Sequence, residues 1–519
     1  MEHLHGRKNM KHAMRKPGAA VVRAAILFWA VAAVVPGLTI AQDVAQFEKR
    51  MTKFTLDNGL KFLILERHEA PVASFHTYAD VGAVDEVWGI TGMAHLFEHM
   101  AFKGTKTIGT RDYEAEKKAM DKIDEAFLAL KLERRKGDRA DKARLEQLEK
   151  QFKEAQEQAQ KYLVRDEYQE AFSREGSSGF NAYTSHDATQ YIVSLPSNKV
   201  ELWMTMESDR FAHPVLREFY KEKDVVMEER RLGVESQPIG RLLEEFMAIA
   251  YKAHPYGDEV VGHMSDLETM TRAEAEAFFK KYYSPSNLTI AIVGDVNPQQ
   301  IKKLAQEYFA GIPSGPKPDP VETAEPPQLG ERRVVVEDPS QPFVLIGYHK
   351  PDIHHPDDAV FDAITDIVGM GRTSRLYKSL VKEKRIAVAA SGFQGMPGAK
   401  YPSLFLFYAV PARGRTNKEC EDAIYAEIER LKSELVTPQE LAKAKTRARA
   451  GLIRQLDSNS GLAAMVTFYE VVTGDWRNLF EQLDKIDKVT AEDIQRVAIE
   501  YFSTKNRTVG IIQTTGAEQ

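Results

Sequence analysis

Met270–Ile292 reads MTRAEAEAFFKKYYSPSNLTIAI, and Val489–Ile511 reads VTAEDIQRVAIEYFSTKNRTVGI. The two stretches align without a gap at a constant offset of 219 residues. In each, a threonine followed three residues later by an acid (Thr271 and Glu274, Thr490 and Asp493) makes a helix start of the capping-box kind. Tyr282-Tyr283-Ser284 then pairs with Tyr501-Phe502-Ser503, and the β-rich run Asn287–Ile292 with Asn506–Ile511. Both copies read as helix, turn and strand, so the chain is expected to hold two halves of one fold.

Between the halves, residues 313–331 (PSGPKPDPVETAEPPQLGE) carry six prolines and little to bury, the composition of an extended linker. This sets expected domains at 42–312 and 332–519. Each half mixes strands, such as Lys61–Glu66, Tyr191–Leu195 and Phe343–Tyr348, with longer amphipathic helices, which makes the fold class α+β.

Chemistry concentrates in the first half, at Gly92-Met93-Ala94-His95-Leu96-Phe97-Glu98-His99-Met100. On a helix of 3.6 residues per turn, His95 and His99 stack on one face, which suits two ligands of a tetrahedral zinc. Glu98 sits beside the second histidine, where it can act as a base. The order His-x-x-Glu-His reverses the commoner His-Glu-x-x-His. A third ligand is required, and the helix-forming stretch from Phe219 to Ser236 offers Glu222 and Glu229 seven residues apart, two turns, on one face. One can ligate while the other supports. Glu228 points about 100° around the helix from Glu229.

These residues, with His95–Thr105 (HLFEHMAFKGT) and Gly179–Ser185 (GFNAYTS), resemble the pitrilysin/insulinase family of zinc peptidases, closest in type to mitochondrial processing peptidase and its bacterial relatives. The resemblance implies an α/β roll with an antiparallel-rich sheet in each half. It implies one Zn²⁺ per chain held by His95, His99 and Glu229, with Glu98 and Glu222 as catalytic carboxylates. It further implies that Phe180, Asn181, Ala182 and Tyr183 form an edge strand that pairs with the peptide backbone. His186 just beyond it reads as a surface residue.

In this setting Glu98 is expected to take a proton from water and deliver it to the leaving amine. The second half shows no counterpart of the His-x-x-Glu-His helix. Family members whose second half assists catalysis use an arginine and a tyrosine, and the matching stretch Leu380–Ala389 offers only Lys382 and either Val388 or Ala389. Lysine lacks the planar fork of arginine and neither apolar residue has a hydroxyl. The expectation is a homodimer, or a heterodimer whose second subunit supplies the arginine and tyrosine. The competing function class is a catalytically silent interaction subunit of a larger complex.

An insertion over 113–171 departs from the family's usual spacing. Its heptad-like runs, Met120, Ile123, Phe127 and Leu130, then Leu145, Leu148, Phe152, Ala155, Ala159 and Tyr162, flank a Lys136-Gly137-Asp138 turn and predict a helical hairpin. With fourteen basic and fifteen acidic residues, it reads as a solvated arm.

The remaining features bound the setting. Arg7, Lys8, Lys11, Arg15, Lys16 and Arg23 precede the apolar run Ala24–Val35, and Thr39-Ile40-Ala41 ends in small residues. Residues 1–41 therefore read as an export signal, with the mature chain in a bacterial periplasm or secreted, and no later segment is apolar enough to span a bilayer. Formal charge is -6, and removing six Lys/Arg against one Glu leaves a body near -11, which argues against nucleic-acid binding. The single cysteine, Cys420, excludes an intrachain disulfide and reads as a buried small residue.

Overall fold

The structure is a computed structural model that describes residues 47–516, so the export signal read over 1–41 lies outside the described residues. Both sheets lie in the unit Met51–Gln519. Six strands, β1 (Met51–Thr55), β2 (Lys61–Glu66), β3 (Val72–Ala79), β4 (Ser178–Thr184), β5 (Thr189–Pro196) and β6 (Leu288–Gly294), form the first sheet in the order β1-β2-β6-β3-β5-β4. Five more, β7 (Arg332–Asp338), β8 (Phe343–Lys350), β9 (Ala387–Met396), β10 (Ser403–Pro411) and β11 (Arg507–Thr514), form the second in the order β7-β11-β8-β10-β9.

Among the helices of the described residues are α1 (Met93–Met100), α2 (Tyr113–Arg134), α3 (Lys142–Ala159), α4 (Phe219–Arg230), α5 (Pro238–Ala250), α6 (Arg272–Tyr282), α7 (Asn459–Thr473) and α8 (Ala491–Tyr501). Apart from β1, the two sheets share one topology. β2 runs parallel to β6 and β7 parallel to β11, while the remaining pairs are antiparallel. The repeated stretch supplies the same parts to both halves: α6 with β6, and α8 with β11. Thr271 and Thr490 cap the helices with full capping boxes. Asn287 Nδ2 donates to the Tyr282 carbonyl at 2.8 Å and to that of Asp80 at 3.1 Å. Asn506 does the same to Tyr501 and His349, both at 2.8 Å, so one polar side chain fixes the turn in each copy.

The central strands are buried on both faces, and the two coverings come from different halves. In β8, Val344, Ile346 and Tyr348 pack against the second half's own helices, whereas Leu345 on the opposite face packs with Leu242, Phe246 and Met247 of α5, from the first half. Reciprocally, α7 of the second half lies across β3 and β6 of the first sheet. There Glu470, with no exposed side-chain surface, binds Lys53 and Lys61 at 2.7 and 2.6 Å. Thr467 Oγ1 stands 3.2 Å from His76 Nδ1. Gly347 and Gly510 leave room for the Phe246 ring, since a Cβ at either would come within 2.7 and 3.0 Å of it.

Residues 313–329 have no regular secondary structure, as their proline content predicts, but the segment is pinned. The Glu325 carboxylate accepts from the backbone N–H groups of Lys252 and Ala253, each at 2.8 Å. The insertion is a helical hairpin of α2 and α3, with Met120, Ile123, Phe127, Leu130 and Leu148 buried. The expectation of a solvated arm fails on its inner side. Phe127 and Phe152 pack on Tyr220 of α4 with ring centroids at 4.4 and 5.4 Å, and Arg272 binds Asp121 and Asp124. Cys420 is buried and free, and burial pushes its thiol up to about 11. Among the described residues, no helix is long and apolar enough to cross a membrane.

The exchanged helices have two measurable consequences. Phe246→Ala should remove about 3–5 kcal/mol of stability, the cost of deleting a fully buried ring, read by chemical denaturation. Acid should loosen the α7 contact. Burial, partly offset by the Gln190 hydrogen bond, lowers His76 from 6.5 to about 4, so the unfolded chain binds the extra proton between those values. The contribution of His76 is complete above pH 6.5 and declines as pH falls towards 4. Denaturation across that range should show this loss, and His76→Gln should diminish it.

Candidate metal centre

α1 owes its position to residues outside its own turn. Gly92 begins it at φ +89°, where a Cβ would lie 2.5 Å from the Val261 carbonyl oxygen, so the close approach demands glycine. The Glu86 side-chain oxygens accept from the Gly92 and Ala94 N–H groups at 2.7 and 2.6 Å, satisfying two of the free donors at the helix N-terminus. Met93, Ala94, Leu96, Phe97 and Met100 are buried, which leaves His95, Glu98 and His99 on the open side.

α4 faces this side. Glu229 Oε2 stands 3.5 Å from His95 Nε2 and 3.4 Å from His99 Nε2. With metal–ligand bonds of about 2.0–2.2 Å, tetrahedral ligands are separated by roughly 3.3–3.6 Å, so these spacings fit a shared zinc-sized ion. The three ligand atoms lie within 4.8 Å of one another, and this is the one group of three or more His, Cys, Asp or Glu among the described residues with that geometry. Glu222, two turns earlier, sets Oε2 3.6 Å from His99 Nδ1, a charge contact on the ring's other nitrogen. Glu228 turns away and pairs with Arg231 at 3.1 Å.

Electrostatics favour a cation here. Burial alone would lower His99, but Glu222, Glu229 and Glu98 outweigh it and raise its pKa. Burial, against His99 and Thr184, holds the Glu98 carboxyl above its ordinary range, which suits a group that must accept a proton. Burial would also raise Glu222, yet His99 and Lys103 hold it below the usual range. His95 is lowered to about 4 by burial, then by His99, and is a neutral donor at neutral pH.

β4 borders the site: it touches α1 and forms the end of the first sheet, with its outer side unpaired among the described residues. Asn181, Ala182 and Tyr183 pair inward with Ile192, Tyr191 and Gln190, and Phe180 sits at a bulge against Phe102. The structure thus brings together His95, Glu98, His99, Glu222 and Glu229 and sets Phe180–Tyr183 beside them. His186 is not a surface residue. The loop carrying Asp258 covers it, and its Nε2 lies 2.8 Å from the Asp258 carbonyl oxygen. Sequence reading missed Glu86, Lys103 and Arg217. Arg217, 1% exposed, pairs with Glu116 at 2.9 Å and donates to the carbonyls of Lys103, Thr105 and Ile108, which ties the loop after α1 to the base of α2.

Two repeats of a roll, one bearing an inverted His-x-x-Glu-His helix completed by a distant glutamate, define a class of metallopeptidase. Residues 61–129 and 155–263 match the sequence family described as insulinase (peptidase family M16), and residues 269–448 match the peptidase M16 inactive domain. The chain belongs to this pitrilysin/insulinase family of zinc peptidases. It is 28% identical over 464 residues to the zinc protease PqqE of Helicobacter pylori, covering 88% of this chain and 91% of that protein. It is 20% identical over 469 residues to the uncharacterized zinc protease YmxG of Bacillus subtilis, covering 89% and 98%. The crystal structure of a protease from Helicobacter pylori matches with a TM-score of 0.75 at 27% identity, covering 89% of this chain and 99% of that one. The periplasmic protease PqqL of Escherichia coli shares the fold, with a TM-score of 0.66 at 15% identity over 90% of this chain and 48% of that one. Within 61–263 the family match leaves out 130–154, the distal part of the hairpin, a shorter segment than the 113–171 read from spacing.

Replacing Arg217 by Ala strands a buried Glu116 carboxylate, 3% exposed, and three carbonyl groups. We expect a loss of about 3–5 kcal/mol, measured by urea denaturation, because breaking one partner of a buried pair leaves the other charge unsatisfied.

Proposed function

We propose that the chain is an exported zinc metalloendopeptidase that hydrolyses peptide bonds in short or unfolded peptides. The observation that carries this reading is the convergence of His95, His99 and Glu229 beside Glu98 and an unpaired edge strand. A bound zinc supplies Lewis acidity, lowering the pKa of water and stabilising negative charge on the scissile oxygen. Glu98 takes the proton of the attacking water and passes it to the amine nitrogen as the C–N bond breaks. The outer edge of β4 at Phe180–Tyr183 holds the substrate main chain extended, a mode open only to segments that are not already folded. Glu222 orients the His99 ring from its Nδ1 side.

Lys382 lies in the helical segment Tyr377–Glu383, while Val388 projects from β9 with 57% of its surface exposed. Neither offers a guanidinium or phenol to substrate, which supports action as a dimer, either with a distinct subunit that supplies those groups or with a second copy that uses other residues in their place. The basic and apolar N-terminus supports export to the bacterial envelope, where the Escherichia coli relative of the same fold is described as periplasmic.

Purified protein should carry one zinc per chain by elemental mass spectrometry, and Glu229→Gln should lose most of it. Glu98→Gln should keep the zinc and lower kcat on an unstructured peptide about 100-fold or more. Unchanged turnover in Glu98→Gln sinks the mechanism. Full activity from a sedimenting monomer sinks the dimer.

A further inference from the structure

Lys103 stands three residues past α1, in the loop clamped by Arg217, and its side chain is only 20% exposed. Its Nζ lies 2.5 Å from Glu222 Oε1 and 3.6 Å from Glu218 Oε2. The other Glu222 oxygen faces His99 Nδ1 at 3.6 Å, while His99 Nε2 faces Glu229. Lys103, Glu222, His99 and Glu229 therefore form one file of alternating charge and dipole that ends in the ligand set.

The lysine is aimed rather than loose. Arg217 Nη1 donates to the Lys103 carbonyl at 2.5 Å and to that of Ile108 at 2.8 Å, and Nη2 donates to that of Thr105 at 2.5 Å. Gly104, at φ +86°, would bring a Cβ within 2.3 Å of the Ile108 carbonyl oxygen, so this loop has little freedom. Glu222 without a cation has other places to go. Glu218, just before the start of α4, and Glu229, near its end, flank it, and repulsion from both would turn its carboxylate away from the ring.

We propose that Lys103 is a positioning residue of the metal centre: by holding one oxygen of Glu222, it keeps the other on His99 Nδ1, so that His99 carries its proton there and presents Nε2 as the metal donor. The proposal rests on the zinc reading of the site and gives Lys103 a role that acts only through Glu222. Residues that orient a ligating histidine from its far nitrogen typically change metal affinity about 10–100-fold.

The test is a double-mutant cycle on zinc affinity, measured on metal-stripped protein by competition with a chromophoric chelator. Lys103→Met should weaken zinc binding about tenfold, Lys103→Arg should recover most of that loss, and in a Glu222→Gln background Lys103→Met should change affinity less than about twofold. Thermal midpoints of the metal-free proteins serve to separate this from unfolding. If Lys103→Met does not fold, Lys103→Gln takes its place in the cycle. An unchanged affinity in the single variant, or an equal loss in both backgrounds, overturns the proposal. A wild-type chain that takes up no zinc overturns the parent reading instead, so the two failures are distinct.

Discussion

The central strands of each sheet are buried on both faces, and each half supplies only one of the two coverings. α5 leaves the first half to seal the second sheet, and α7 returns the arrangement. Phe246 occupies space that Gly347 and Gly510 vacate, while Glu470 bridges Lys53 and Lys61 at the edge of the first sheet. The metal site inherits this constraint. β4 is the last strand of the first sheet, and α1 packs against it, so the geometry of the first half depends on a helix encoded far beyond the end of that half.

The site itself is a balance of charge. Four carboxylates and two imidazoles meet at the α1–α4 contact, with Lys103 as the cation paired to Glu222 and Glu218. Such a surplus of negative charge is costly unless a cation joins it, and the spacing of Glu229 from both Nε2 atoms shows where one fits. The division of the glutamates is equally physical: Glu229 meets the nitrogens that face one another, and Glu222 meets the nitrogen behind. Glu228, one residue from Glu229, is turned to solvent by the helical period alone.

Where a local pattern had one reading, the sequence and the structure agree. β2 spans Lys61–Glu66 as read, the two capping boxes form at Thr271 and Thr490, and the hairpin turns at Gly137. Disagreements arise where a residue or a helix face was read as solvent-facing, or was not singled out at all. His186 is buried by the Asp258 loop, the inner face of the hairpin packs on Tyr220, and Lys103 and Arg217 have partners that only folding brings near. A lysine in a charged loop and a lysine aimed at a carboxylate look the same in a string of letters.

The sequence by itself determined the duplication, the face shared by His95 and His99, and the pairing of Glu222 with Glu229, because helical and strand periods are local properties of the chain. Tertiary structure alone decided which helix covers which sheet, how closely α1 and α4 approach, and which charges become partners. These depend on contacts between segments far apart along the chain, where burial and distance rather than residue order set the energy.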